Sequence, residues 1–571
     1  SSAASDVYKR QIPLGVVDYE TLKNQNYFFI DKSMMIYDFL MRKSTVTLIT
    51  RPRRFGKTIN ISMMSSFFDI TKDSKEIFKD TKIVETEYIS EMNQYPTIFI
   101  SFANAKNDKW NVVKEIKLQL RKEYDRYAHV FEQKMTVFEQ NEYESLVQGL
   151  MTKNDGILDN IIDALSFLME RLEKYYHKKV MVFIDEYDTP FIEAHVGGYY
   201  EELRGGLSSL LHNALKTSTS LHYAMMTGIQ RVAKENIFSD LNNLVVCTVK
   251  DPEYSKYFGF TEEEVFHALE ENGLSDEKGT VRYWYDGFSF GKRKDIYNPW
   301  SITKYLDTGE YGTYWADTSG NMLISNLIRR SPAKIKTEME DLLNGRVICT
   351  ELDEQVIFEQ LGRKRGAIWS LMLASGYLKV DRYEMDNRTG KRQYDLKVTN
   401  HETMLMFEQM IEDWFTEEDS AYGNFKDALL AGDLDYMNQF MNQVALQTFS
   451  SFDTGGKPSE ELEPERFYHG FVLGLIVDLA GKYRITSNRE SGFGRYDVVM
   501  EPLKENLDAI VMEFKVQNTS KEKSLEETVE HALRQIQEKQ YDTELLARGI
   551  TKERIRHYGF AFRGKKVLIG N

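Results

Sequence analysis

The sequence predicts an α/β protein with a parallel sheet between helices in its N-terminal part, a mostly helical middle region, and a second α/β domain at the C-terminus. Residues 46–50 (VTLIT) form a short apolar, β-branched run that a loop and a helical pattern follow. Residues 180–184 (VMVFI) form a continuous apolar run, which is typical of a parallel strand buried on both faces. Two more strands are expected at residues 97–102 and 221–227.

The composition restricts the class of protein. A chain of 571 residues exceeds one hydrophobic core, so several domains are expected. Two cysteines, Cys247 and Cys349, are too few for a disulfide framework and too far apart for a zinc cluster, which favours the cytoplasm. No apolar run is long enough to span a membrane, so no membrane partner is expected. The net charge of -15 argues against broad attraction to nucleic acid but allows a local site.

The loop after the first strand has the spacing of a phosphate-binding loop. In such a loop the backbone amides face the phosphates, Lys57 would reach the β and γ phosphates of ATP, and the Thr58 hydroxyl would bind Mg²⁺. Arg51 stands where the motif wants its first glycine, and arginine resists the backbone conformations that glycine permits. A tighter or differently shaped loop is therefore expected. The other nucleotide-binding candidates in the loop are Arg53, Arg54, Phe55 and Gly56.

Polar residues stand at the ends of two other predicted strands, where ligands bind in open α/β sheets. Asp185 would hold Mg²⁺ through water, and Glu186 would polarise the attacking water. Thr227 would sense the γ phosphate. Arg231 could stabilise transition-state charge, although a surface ion pair explains it equally well.

Several stretches resemble a bacterial AAA-ATPase-like family whose members commonly carry a C-terminal PD-(D/E)XK nuclease domain. The likeness begins with residues 26–33 (NYFFIDKS) and 51–58 (RPRRFGKT), and in that family the loop habitually lacks its first glycine. It extends over nearly the whole chain through residues 184–188 (IDEYD), 258–261 (FGFT), 285–288 (YDGF) and 297–301 (YNPWS).

The resemblance implies three domains, an ATPase domain at 12–250, a helical lid and connector at 251–450 and a nuclease-like domain at 451–571. Residues 1–11 (SSAASDVYKRQ) are interpreted as a non-native leader. The Gly, Pro and acid-rich stretch 451–463 is the strongest linker signal in the chain. The aromatic turns at 285–288 and 298–300 are interpreted as packing and turn chemistry.

The C-terminal candidate site depends on strand geometry. Strands are expected at 496–500 and 509–516, between helices at 464–480 and 524–541. If the turn centres near Glu505, Asp497 lies opposite Glu513, and Lys515 shares the face of Glu513. Two facing carboxylates repel unless a cation bridges them.

All-oxygen ligands select a hard metal, so Mg²⁺ or Mn²⁺ is expected, with Lys515 orienting or activating the water. Glu465 on the preceding helix would supply a third carboxylate. Gln535 or Gln537 would contact the metal water or the DNA backbone, and the sequence does not choose between them. Residues 489–497 resemble the loop that precedes the family's catalytic Asp.

These features predict an ATP-binding and ATP-hydrolysing protein coupled to a metal-dependent nuclease, with DNA favoured over RNA. An alternative is a nucleotide-gated signalling or defence switch with a regulated or vestigial nuclease domain, which the acidic net charge favours. A small-molecule kinase leaves much of the chain unexplained. An oligomer of this chain or a protein partner stays open.

Overall fold

The chain divides into two compact units, Ser1–Thr318 with Cys349–Thr403, and Ser319–Ile348 with Met404–Asn571. The structure, a computed structural model, describes residues 10–152, 156–229, 243–315, 324, 327–328, 333–343, 345–352, 365–385, 391–416, 421–449, 472, 476, 479, 481–491, 494–504, 507–563 and 566–571. Within these ranges no helix combines the length and the apolar character needed to cross a membrane.

The first unit is built on a five-stranded parallel sheet in the order β2-β3-β4-β1-β5. Its strands are β1 (Val46–Thr50), β2 (Thr97–Ser101), β3 (Val180–Asp185), β4 (Leu221–Gly228) and β5 (Leu244–Cys247). The four strands predicted from apolar runs are confirmed, and every residue of β3 is buried, as expected for a strand covered on both faces. The edge strand β5 was not predicted from the sequence.

Helices cover this sheet. The helix that follows the loop, Lys57–Phe68, is buried along almost its whole length and contacts β2, β3 and β4. The other helices of this part of the chain are Tyr19–Asn24, Met34–Arg42, Lys75–Phe78, Lys109–Arg126, Val137–Met151, Ala164–Tyr176, Thr189–Val196 and Tyr200–His212.

The remainder of the first unit adds helices and two small antiparallel sheets. One sheet has the order β6-β8-β7, from β6 (Phe260–Thr261), β7 (Phe288–Phe290) and β8 (Arg293–Tyr297). The other has the order β10-β11-β9, from β9 (Ile348–Thr350), β10 (Leu378–Met385) and β11 (Arg392–Val398). The helices are Glu262–Glu271, Lys278–Tyr285, Pro299–Thr308, Arg365–Ala374 and His401–Thr416, the last of which continues into the second unit.

Local sequence explains where these helices begin. Thr261 and Glu264 form a capping box at the helix Glu262–Glu271, in which each side chain bonds the backbone of the other. The Asn298 side chain accepts hydrogen bonds from the amides of Trp300 and Ser301, and Pro299 occupies the first helical position. The family-like stretches at 258–261 and 297–301 thus include helix starts.

The second unit is built on a sheet in the order β12-β13-β14-β15-β16. Its strands are β12 (Tyr483–Ser491), β13 (Gly494–Pro502), β14 (Ala509–Val516), β15 (Ile555–Arg563) and β16 (Lys566–Gly570). Only β14 and β15 are parallel, and the helix Leu525–Glu538 lies between them in sequence and contacts both. The other helices are Ala333–Leu343, Ala421–Ala431, Leu434–Phe449 and Thr543–Ala547.

The structure confirms the strands predicted for the second unit and the helix after them, but not the expected loop at residues 489–497. The predicted strands at 496–500 and 509–516 and the helix after them are confirmed. Residues 489–491 and 494–497, which were expected in a loop, instead belong to the antiparallel strands β12 and β13, in which Arg489 lies opposite Tyr496. That expectation was wrong for these residues because the pairing of β12 with β13 extends to Ser491 and Gly494. The linker 451–463 lies outside the described residues, as does most of the helix expected at 464–480.

Candidate functional sites

The loop between β1 and the helix Lys57–Phe68 has two left-handed residues. Arg54 has φ of 61° and Gly56 has φ of 77°, and Gly56 caps the helix. A left-handed residue followed by a right-handed one turns successive amides toward the same side, which forms an anion-binding concavity. The loop leaves the carboxyl end of β1, so it stands at the sheet edge where ligands bind in open α/β folds.

The Lys57 side chain is buried inside this loop. Its ammonium donates hydrogen bonds to the carbonyls of Arg51 at 3.1 Å and Pro52 at 2.8 Å. Burial lowers the pKa of Lys57, whereas the nearby carboxylates of Glu186, Asp185 and Asp188 raise it. The two groups that accept hydrogen bonds from the ammonium are neutral carbonyls, which phosphate oxygens could replace with charge-assisted hydrogen bonds.

Asp185 collects two hydroxyl donors at the tip of β3. The Thr58 hydroxyl donates to Oδ2 at 2.7 Å, and the Thr227 hydroxyl donates to Oδ1 at 2.6 Å. Burial raises the pKa of Asp185, and the two hydroxyl hydrogen bonds lower it. The structure thus brings together three site candidates from separate elements. A hydroxyl and a carboxylate are oxygen donors of the kind that Mg²⁺ prefers, so the residues fit this ion.

Glu186 and Asp188 shape the same edge of the sheet. Glu186 has φ of 51°, and its carboxylate accepts a hydrogen bond from the Thr189 hydroxyl at 3.1 Å. Asp188 accepts from the Ile229 amide at 2.8 Å, and a Cβ at Gly228 would meet its carboxylate at 2.7 Å. Asp188 was missed as a candidate, although it belongs to the family-like stretch at 184–188. Arg231 lies outside the described residues.

Arg51 turns away from the loop into the protein interior. Its guanidinium donates to the carbonyls of Thr50 at 2.8 Å, Cys247 at 3.0 Å and Glu253 at 3.0 Å. It also lies 4.7 Å from the centre of the Phe290 ring. Burial lowers the pKa of Arg51 to about 10. The residue in the place of the first glycine therefore joins the ends of β1 and β5 to the chain beyond residue 250.

The other loop side chains also meet that part of the chain. Phe55 is fully buried, with its ring 4.7 Å from Phe288 and 5.5 Å from Phe290, so its backbone alone could face a nucleotide. The Arg54 guanidinium lies 4.0 Å from the centre of the Trp300 ring. The Arg53 backbone carbonyl accepts a hydrogen bond from the Trp315 indole N–H at 2.9 Å. The family-like stretches 285–288 and 297–301 thus provide packing contacts to the loop.

The second candidate site joins strand β14 to the helix Leu525–Glu538. The Gln535 side chain donates to Glu513 and accepts from the Lys515 ammonium at 2.7 Å. The Lys515 ammonium lies 3.8 Å from the same Glu513 oxygen. Gln535 also donates to the Tyr541 hydroxyl at 3.0 Å, a contact that the sequence analysis missed. Gln537 is exposed, so the structure favours Gln535 of the two glutamines.

The register of β13 with β14 agrees with the predicted facing positions of the two carboxylates. Val498 lies opposite Met512 in this antiparallel pair, and the next pair in the same register is Asp497 with Glu513. This is the register expected from the sequence. The side chain of Asp497 and all of Glu465 are outside what the structure describes. The described residues hold no cluster of three or more metal-ligating side chains, and a carboxylate flanked by a lysine and an amide still suits a hard cation.

These two folds and sites define a nucleotide-binding protein with a nuclease-like domain. Residues 13–238 match the family of predicted AAA-ATPases, and residues 463–571 match the PD-(D/E)XK nuclease superfamily. The chain is therefore similar to predicted AAA-ATPases in its N-terminal part and to PD-(D/E)XK nucleases in its C-terminal part. It is 21% identical over 440 residues to an uncharacterized protein in the vnfD 5' region of Azotobacter chroococcum mcd 1, which covers 74% of this chain and 75% of the relative.

Proposed function

We propose that the protein binds and hydrolyses ATP, and that its nucleotide state controls a Mg²⁺-dependent nuclease that acts on DNA. The observation that carries the proposal is the cluster of Thr58, Asp185 and Thr227 beside the buried Lys57 ammonium. Such a cluster combines a phosphate-binding cation with oxygen ligands for a metal at one sheet edge.

At the nucleotide site, Lys57 would exchange its two carbonyl acceptors for phosphate oxygens. The Thr58 hydroxyl and the Asp185 carboxylate would hold Mg²⁺, which when bound neutralises charge on the phosphates. Glu186 would orient the attacking water, and Thr227 would sense the γ phosphate through its link to Asp185. Arg231 keeps its proposed role of stabilising transition-state charge.

At the nuclease site, Asp497, Glu513 and Glu465 would hold Mg²⁺ or Mn²⁺, which supplies a Lewis acid for phosphodiester hydrolysis. Gln535 connects Glu513 to Lys515, so it would hold the ammonium in the direction needed to orient the attacking water. The net charge of -15 requires that binding of a nucleic acid be local. The same charge favours the second candidate, a nucleotide-gated signalling or defence switch in which the nuclease is a regulated effector or vestigial.

A paired assay tests the proposal on the full chain. ATP turnover and the nicking of plasmid DNA are measured with Mg²⁺ for the wild type, Lys57→Ala and Lys515→Ala. Lys57→Ala should abolish turnover, and Lys515→Ala should abolish nicking while leaving ATP binding intact. The exposed lysines Lys75 and Lys521 provide matched alanine controls, which should behave as the wild type.

Two outcomes would contradict it. Unchanged turnover in Lys57→Ala would move the ATPase site elsewhere. Equal background for the wild type and Lys515→Ala on single-stranded DNA, double-stranded DNA and RNA would remove the nuclease activity and leave the switch as the better explanation.

A further inference from the structure

The carbonyls of the phosphate loop accept hydrogen bonds from two different sources. Those of Arg51 and Pro52 accept from the Lys57 ammonium within the loop. Those of Arg53 and Phe55 accept from groups far along the chain. The Arg53 carbonyl accepts from the Trp315 indole N–H at 2.9 Å and, at a longer 3.5 Å, from the Asn298 side-chain amide, and the Phe55 carbonyl accepts from the Gly259 amide at 3.2 Å. These distant donors thus fix the peptide units between Arg53 and Arg54 and between Phe55 and Gly56.

Holding a carbonyl also aims the amide that follows it. The described residues include no cis peptide, and in a trans peptide the C=O and the next N–H point in opposite directions. Fixing the Arg53 carbonyl therefore directs the Arg54 amide to the other side of the loop. Fixing the Phe55 carbonyl does the same for the Gly56 amide. These are the two left-handed residues of the anion-binding turn.

The direction of the Trp315 indole is itself held. Its ring lies 5.4 Å from both the Phe288 and the Tyr377 ring centres. Its backbone amide donates at 2.6 Å to Glu402, a fully buried carboxylate that also accepts from the Ser301 hydroxyl at 2.9 Å. Because both the ring and the backbone of Trp315 are packed, its indole N–H is a preorganised donor.

We propose that Trp315 is a positioning residue for phosphate binding. By holding the Arg53 carbonyl, it keeps the Arg54 amide turned toward the phosphate oxygens of a nucleoside triphosphate, while Gly259 does the same for the Gly56 amide. This inference rests on the proposed ATP binding. It gives the region beyond residue 250 a direct part in forming the nucleotide site.

Trp315→Phe tests the inference, because phenylalanine keeps an aromatic ring and removes the indole donor. The dissociation constants of Mg-ATP and of inorganic tripolyphosphate should both rise about three- to tenfold, the effect of losing one hydrogen bond. The turnover number at saturating ATP should change less than the Michaelis constant. The thermal midpoint without nucleotide is measured alongside. Trp284→Phe, in an aromatic cluster with Tyr311 and His401, is the matched control and should bind both ligands as the wild type does.

Wild-type affinity for both ligands in a folded Trp315→Phe would overturn the inference and leave the ATPase proposal intact. A wild type that binds no ATP would remove both. Hydrogen exchange on the wild type gives a second readout that needs no variant. The Arg54 and Gly56 amides should become protected when Mg-ATP binds, and unchanged exchange at saturating ATP would overturn the inference even if Trp315→Phe folds poorly.

Discussion

The Thr58 hydroxyl donates a 2.7 Å hydrogen bond to Asp185, which lies 127 residues further along the chain. The Thr227 hydroxyl donates a hydrogen bond to the other oxygen of the same carboxylate at 2.6 Å. Both oxygens of a buried acid are thus paired with hydroxyl groups. A divalent cation bound here would take the place of the hydrogen bond between Thr58 and Asp185, with the hydroxyl oxygen of Thr58 and the Asp185 carboxylate as ligands.

Thr58→Val should remove most of the gain in ATP affinity that Mg²⁺ provides. Valine has nearly the shape of threonine but no oxygen, so one metal ligand is lost and affinity should fall at least about tenfold. Binding of ATP in EDTA should change little. Calorimetric titrations with Mg²⁺ and with EDTA measure the two values. Thr58→Ser retains the hydroxyl and serves as the control, and a full Mg²⁺ effect in the valine variant would contradict the assignment.

Arg51→Gly restores the usual first glycine of the loop and should nevertheless destabilise the protein. Three backbone carbonyls lose their donor and the stacking on Phe290 disappears, which should cost about 3 kcal/mol or more. Calorimetry would show a lower midpoint for the first unit. Arg51→Lys keeps the charge but has fewer donors, so it should fall between the two. An unchanged or higher midpoint for Arg51→Gly would show that the buried guanidinium does not stabilise the fold.

Asp286→Asn should stabilise the protein at pH 7.5 and have little effect at pH 4. Burial raises the pKa of Asp286 to about 6, Asp295 and Glu262 push it the same way, and the Gly287 amide and Lys379 oppose the rise. A raised acid pKa means that the folded state prefers the protonated form. The stabilisation of the folded state by protonated Asp286 is fully present below the unfolded pKa of about 3.9 and is lost as the pH rises through 6.

Asparagine cannot ionise, so it avoids this loss. The gain at pH 7.5 should be about 1 kcal/mol, since the partial exposure of Asp286 weakens the effect. Urea unfolding at the two pH values measures it. An equal gain at both pH values would mean that ionisation of Asp286 is not its source.

Gln535→Leu should lower nuclease activity by about 10- to 100-fold, which is the usual cost of losing a hydrogen-bond partner of metal ligands. The side chain connects Glu513 with Lys515, and leucine can hold neither. The initial rate of plasmid nicking measures the effect. Gln537→Leu lies two residues away on the exposed side of the helix and should nick as the wild type does. Similar losses in both variants would point to the helix as a whole.

Much of the sheet architecture was predictable from local patterns. Strands β1 and β3 are covered on both faces, so they leave uninterrupted apolar runs that stand out in the sequence. The register of β13 and β14 followed from the period of two and the position of the turn. The edge strand β5 was missed because it has four residues with partial exposure. The paired ends of β12 and β13 were interpreted as a loop because residues 489–495 are rich in glycine and polar residues.

The candidate sites were predictable only in part. The positions of Lys57, Thr58 and Asp185 follow from the rule that parallel strands present their carboxyl ends at one edge. Nothing local indicates that Arg51 turns inward, because its three acceptors include carbonyls about two hundred residues away. The buried place of Phe55 between Phe288 and Phe290 also depends on distant chain.

Periodicity, motif spacing and composition were enough to predict two α/β regions, the loop between β1 and the helix Lys57–Phe68, the acid at the end of β3 and the register of β13 with β14. These features repeat over a few residues, so short-range geometry governs them. The packing of the whole chain decided that Gln535 meets Glu513 and Lys515, and that Trp315 holds the Arg53 carbonyl. Contacts between groups so far apart depend on how complete elements pack together, which no local pattern records.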